Sequence, residues 1–115
     1  MANEIQVTYP DGVTVYVIIK TLAGLIWDVG DGALEAVGTW DDARADECDV
    51  ACTAKDAEQY IADFPATCPN GTYLLTAYVQ AGANPDTDDP YIGGEIYEWP
   101  TSLRTVIAMH HYMNV

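Results

Sequence analysis

Cations are scarce in this chain of 115 residues: Lys20, Arg44, Lys55 and Arg104 stand against eighteen Asp and Glu, for a formal charge of −14 at pH 7. A surface so acidic repels phosphate backbones and anionic lipid headgroups, so neither nucleic acid nor a membrane surface is expected as a direct partner. Long apolar runs are missing too. The most hydrophobic stretch, Val13 to Trp27, is interrupted by Lys20 and Gly24 and is shorter than the roughly 20 residues that cross a bilayer. The opening Met1-Ala2-Asn3-Glu4-Ile5-Gln6-Val7 has neither the basic nor the apolar region of a secretory signal, so export is not expected. Serine is reduced to Ser102, which lies outside any Gly-x-Ser-x-Gly elbow. No nucleophile beside a base and no pair of carboxylates in a cleft can be read, so no enzyme activity and no cofactor are expected.

Cysteine is sparse and odd in number. Cys48, Cys52 and Cys68 do not form the even framework of a secreted disulfide scaffold, and buried free thiols are the expectation. A Cys52–Cys68 or Cys48–Cys68 disulfide remains open in oxidising surroundings. Zinc is not expected, because Cys48 and Cys52 have no second cysteine pair to complete a tetrahedral site, even with His110 or His111.

What is present is enough to fold. Half of the residues are hydrophobic and the mean hydropathy is −0.01, so the signature of a disordered chain is absent despite the charge. The length corresponds to one domain, residues 1–115, with 100–115 read as a docking tail or extension. Thr72 to Gln80 follows the turn signal Asn70-Gly71 and carries an apolar row of Tyr73, Leu75, Ala77 and Val79; Leu74 and Tyr78 fall on the opposite face among Thr72, Thr76 and Gln80. Asn70-Gly71-Thr72 also fits a glycosylation sequon but is read only as that turn. Val13 to Lys20 aligns Val15, Val17 and Ile19 and passes through Thr21–Gly24 into a hairpin with Leu25-Ile26-Trp27.

Glu4–Tyr9 reads as an edge strand stopped by Pro10, and Ala33–Val37 as a short strand after Asp31-Gly32. Gln59–Phe64 turns Tyr60, Ala62 and Phe64 to one side, Gly94–Trp99 does so with Tyr97 and Trp99, and Thr105–Met109 closes the set. The count is seven to eight short strands, as in an all-β antiparallel sandwich. Trp40–Ala57 is the exception, a short helix capped by Thr39 or a long loop, and Gly82–Pro90 is a surface loop.

Two features invite ligands. Asn84, Asp86 and Asp88 alternate in the loop, and Glu95 follows eleven residues after Asn84, a spacing close to a calcium loop; the glycine such a loop needs at its sixth position is replaced by Asp89. The expected reading is a solvated acidic loop. Trp27, Trp40 and Trp99, with eight tyrosines against one phenylalanine, suggest aromatic contacts with other subunits or stacking on sugar rings; core packing is an equal reading, since Tyr73 and Trp99 fall on expected inward faces and sandwiches commonly bury one Trp against the opposite sheet.

The order of these segments also carries a resemblance. Glu4-Ile5-Gln6-Val7-Thr8-Tyr9, Thr14-Val15-Tyr16-Val17-Ile18-Ile19 and Gly24-Leu25-Ile26-Trp27-Asp28 are followed by Tyr60-x-x-x-Phe64-Pro65 and Gly71-Thr72-Tyr73. Gln80-Ala81-Gly82-x-x-Pro85-x-x-Asp88 and Glu95-Ile96-Tyr97-Glu98-Trp99 complete the series. The whole, over residues 4–99, resembles small immunoglobulin-like β-sandwich structural proteins of tailed phages and prophages. The Cys-bearing segment and Thr101–Val115 depart from that pattern.

The resemblance implies a multi-copy, homo-oligomerising virion component, made in the host cytoplasm and bound to other virion proteins such as the major capsid protein or tail components. An accessory head protein, a decoration or cement protein, is the first expectation. Its contacts would come from Trp27, Trp40 and Trp99 and from the tail residues Val106, Ile107, Met109 and Tyr112. The alternative is a tail, baseplate or fibre module binding host-surface carbohydrate; a calcium-dependent adhesive domain using Asn84, Asp86, Asp88 and Glu95 is the third.

Overall fold

Among the described residues, ten strands and one helix follow one another as β1 (Ile5–Thr8), β2 (Thr14–Thr21), β3 (Leu25–Asp28), β4 (Ala33–Ala36), α1 (Asp42–Cys48), β5 (Val50–Ala51), β6 (Thr53–Lys55), β7 (Gln59–Ala62), β8 (Gly71–Gln80), β9 (Tyr91–Trp99) and β10 (Thr105–Ile107). The computed structural model describes residues 4–100 and, as backbone only, 105–107. They form two sheets, a smaller one in the order β10-β1-β7-β6 and a larger one in the order β4-β3-β2-β8-β9, with β5 also paired to β2. All pairings are antiparallel except β1 with β10, which is parallel from Ile5↔Thr105 to Val7↔Ile107. The fold is thus the expected all-β, two-sheet architecture, with more strands than the sequence suggests because β5 and β6 emerge from the segment around Cys52.

Local chemistry sets the turns. The β2–β3 loop is three residues, Leu22-Ala23-Gly24, and Gly24 takes the left-handed conformation (φ 98°) that such a loop demands of its last residue. Its amide donates to the Thr21 carbonyl at 3.0 Å, and the Thr21 hydroxyl accepts from the Leu25 amide. The helix starts at Asp41, not at Thr39 as the sequence suggests: the Asp41 side chain accepts from the Arg44 amide at 2.9 Å. It ends after seven residues with no basic group in its last turn, and its Glu47 carbonyl accepts from the Val29 and Gly30 amides of the β3–β4 turn. The expected edge position of Glu4–Tyr9 is also corrected. β1 lies between β10 and β7, because the later segment Thr105–Ile107 folds back alongside it.

The space between the sheets is filled by alternate residues of facing strands: Ile5 and Val7, Val15, Val17 and Ile19, Tyr60 and Ala62, Tyr73, Leu75 and Ala77, with Trp27, Phe64, Ile92 and Tyr97. These rows match the alternation in the sequence. Phe64 is the hub of an aromatic group, its ring 5.5 Å from Tyr73, 5.1 Å from Tyr97 and 4.7 Å from Trp99.

A second, smaller cluster lies on the far side of the larger sheet, where Tyr16, Ile18 and Ile26 meet Cys48 of the helix. Here the structure adds a layer that alternation does not reveal. Val15 to Ile19 are buried without a break because β2 is covered on both faces.

Candidate functional site

The outer face of the larger sheet is half roofed and half open, and that division defines the candidate site. Over β2 and β3 the roof is α1, which presents Ala45 and Cys48, three positions apart and on one side of the helix, to the sheet. Arg44 fastens it. Its guanidinium donates to Asp28 Oδ2 at 2.7 Å, to Glu35 at 3.1 Å, to Glu47 at 3.2 Å and to the carbonyls of Val37 and Ala36. Burial alone would raise the pKa of Asp28, but the amides of Asp31 and Gly30 and the Arg44 guanidinium outweigh it and hold the carboxyl below its ordinary range.

The remainder of the roof is the loop 81–90, organised by one carboxylate. Asp89, buried, accepts from the Tyr16 hydroxyl at 2.6 Å, from the Asp86 amide at 3.0 Å and from the Ala81 amide at 3.1 Å. Burial pushes its pKa up, and the Tyr16 hydroxyl with these amides brings it below the ordinary value instead. The loop then joins the helix, because Thr87 donates through both amide and hydroxyl to Asp42 Oδ1.

Beyond this roof, among the described residues, the sheet is open. Register places Tyr78 opposite Tyr91 and Leu74 opposite Ile96 on the outer face of β8 and β9. Tyr91 is 53% exposed and Ile96 59%. The tyrosines form a row from the roofed side to the edge: Tyr16 stacks on Tyr78 at 5.5 Å, and Tyr78 meets Tyr91 edge-on at 5.8 Å. Gly94 leaves room for the last ring, since a Cβ there would sit 2.9 Å from the Tyr91 hydroxyl. The result is a strip of apolar and aromatic surface on a rigid sheet, the composition of a contact surface.

The aromatic candidates from the sequence are scattered by the fold. Trp27 is 4% exposed and packs between the sheets, so its expected interface role is overturned: β3 turns Trp27 inward and Ile26 outward. Trp99 is half buried against Phe64 and Tyr97. Trp40 is exposed beside the helix cap. Val106 and Ile107 are placed only by register, opposite Gln6 and Val7; Met109 and Tyr112 lie outside the described residues.

The residues of the calcium alternative are dispersed. Asp86, Asp88 and Glu95 do not converge: Asp86 accepts from the Asp88 amide at 2.8 Å within the loop, Glu95 lies on β9, Asn84 is exposed, and the structural carboxylate is Asp89. Among the described residues, one trio of acidic, thiol or imidazole side chains has its ligand atoms within 4.8 Å, Asp28, Asp31 and Glu35, and the Arg44 guanidinium already bonds two of its members.

All three cysteines are free. Burial pushes Cys48 up to about 11 and Cys52 up to about 12 and raises Cys68, so they are neutral thiols at pH 7.

Tyr91 and Ile96 were missed by sequence reasoning, although a signal existed in Leu74 and Tyr78, two large residues on the face assigned to water. No protein-family model, no curated protein and no solved structure matches the chain.

Proposed function

We propose that the protein is a structural component of a tailed-phage virion, an accessory head protein of the decoration or cement type, which works by adhesion rather than by chemistry. The observation that carries this reading is the open strip Leu74–Tyr78–Tyr91–Ile96. An apolar, aromatic patch on an otherwise strongly acidic surface is where a partner displaces water. The two-sheet fold and the sequence resemblance supply the class; the net charge of −14 keeps the free protein soluble until it docks. Many copies binding only the assembled shell stabilise it by mass action.

The test is co-sedimentation with isolated particles or shell subunits. Binding is expected with the native chain and loss of at least about tenfold in affinity with Ile96→Lys, which places a charge on the most exposed apolar residue of the strip. A native chain that stays in the supernatant overturns the reading.

A carbohydrate-binding tail or fibre module is the second reading. It is favoured by the exposed Tyr91 ring lying over Gly94, a flat platform of the kind that stacks on sugars. Glycan-array binding abolished by Tyr91→Ala supports this alternative over the first.

A further inference from the structure

Among the described residues the two sheets have four edges, and these are not equally protected. The smaller sheet ends on β10 and β6, each three residues long, and β6 carries Lys55; the larger sheet ends on β4, four residues long, and on β9, nine residues long. Short edges and edge lysines are common means of preventing strand addition. β9 has neither. It contains no proline and no cation between Tyr91 and Trp99, and its bulge falls near Ala77/Tyr78, leaving Gly94 to Trp99 in regular register with β8. Along that stretch Ile96 projects on the outer face, and Glu95 and Glu98 are exposed.

The charges choose the occupant. A second copy brings another −14 and its own Glu95 and Glu98 to the same edge, so self-pairing is opposed. Among the described residues little neutralises these acids: Arg44 is committed to Asp28, Glu35 and Glu47, Lys55 is on the other sheet, and Lys20 lies two strands in from the edge; Arg104 lies outside the described side chains. The exposed Tyr91 ring adds a face for a guanidinium or ammonium group.

We propose that Gly94–Trp99 of β9 accepts an extended segment of a partner protein as an added strand, with lysine or arginine beside Glu95 and Glu98 and an apolar residue beside Ile96. Main-chain bonds supply affinity, and the alternating side chains supply selection. This inference rests on the docking reading above and names its partner chemistry.

The probe is a fluorescent eight-residue peptide with Lys-Val-Val-Lys at its centre, which sets a cation beside each of Glu95 and Glu98 and a valine beside Ile96, titrated into the full chain and followed by anisotropy and by amide chemical shifts. Shifts confined to β9 and its neighbours are expected, with affinity falling as salt rises. Loss of at least about tenfold is expected for the Glu95→Lys/Glu98→Lys variant, for a peptide with glutamate in place of its basic residues, and for one N-methylated along its bonding edge. Equal binding of the acidic or N-methylated peptide, shifts centred elsewhere, or a β9-mediated dimer of the free protein overturns the proposal. If no peptide binds while the chain still co-sediments with shells and loses this on Ile96→Lys, strand addition is wrong and the docking reading stands.

Discussion

β2 and β9 belong to one sheet yet meet different surroundings. β2 is buried on both faces, with Val15, Val17 and Ile19 against the smaller sheet and Tyr16 and Ile18 beneath the helix and the loop 81–90; β9 buries Ile92 and Tyr97 inward and leaves Tyr91 and Ile96 bare. The two roofs over β2 are also built differently. The smaller sheet covers it with a large apolar cluster, whereas α1 and the loop contribute few apolar groups and are fixed by Arg44 on Asp28 and by Asp89 on Tyr16. Hydrophobic area holds the sandwich together, and directional charged hydrogen bonds hold its outer layer in place.

The same substitution at two outer-face positions separates these environments most sharply. Ile18→Lys drives an ammonium group into the apolar cluster of Tyr16, Ile26 and Cys48, and a loss of about 4 kcal/mol or complete failure to fold is expected in urea unfolding. Retention of native stability there would mean that the helix does not cover β2. Arg44→Ala comes next. It strips the buried Asp28 carboxylate of its cation while leaving the Asp31 amide bond, and a loss of about 2 kcal/mol is expected. Hydrogen exchange should rise first in 42–48 and leave β8 protected; uniform loss across both sheets would refute a separately fastened roof.

How far this was legible in the sequence follows the same division. The inter-sheet face was readable because Tyr60/Ala62/Phe64 and Tyr73/Leu75/Ala77 alternate with period two and one side of each strand meets water or a thinner cover. The outer layer was not. Its contacts join residues far apart in the chain, Tyr16 to Asp89 and Arg44 to Asp28, and no local period records such a pairing. Asp89 therefore passed as one acid among several in a polar loop, and Trp27 as a free aromatic anchor, since a four-residue strand does not itself reveal which of its faces turns inward. Leu74 and Tyr78 were the exception, visible as misplaced apolar residues on the polar face.

The acid limb of stability probes the loop half of the roof. Asp28 and Asp89 both have native-state pKa values below the ordinary 3.8, so the stability they contribute is present above that pH and is lost as pH falls through their native values. Native protein should therefore lose stability steeply below about pH 4. In Asp89→Asn the neutral amide cannot serve Tyr16 and both amides as the carboxylate does. That variant should be less stable at pH 6 by about 1 kcal/mol and show a shallower acid limb, with the difference closing towards pH 2. Parallel curves for the two proteins would show that Asp89 does not fasten the loop.

The smallest effect on folding belongs to the partner of the first substitution. Ile96→Lys puts the same ammonium group on the same face of the same sheet, but at a position 59% exposed, where the charge stays hydrated and the lysine stem covers what the isoleucine covered. Its stability should match that of the native chain within about 0.5 kcal/mol, read from the urea midpoint at unchanged slope. A cost as large as that of Ile18→Lys would mean that the strip is packed against something within this chain, and the open surface on which docking depends would not exist. A neutral result combined with lost co-sedimentation separates folding from binding at one residue, because an edge left bare at no cost to the fold is free to serve a partner.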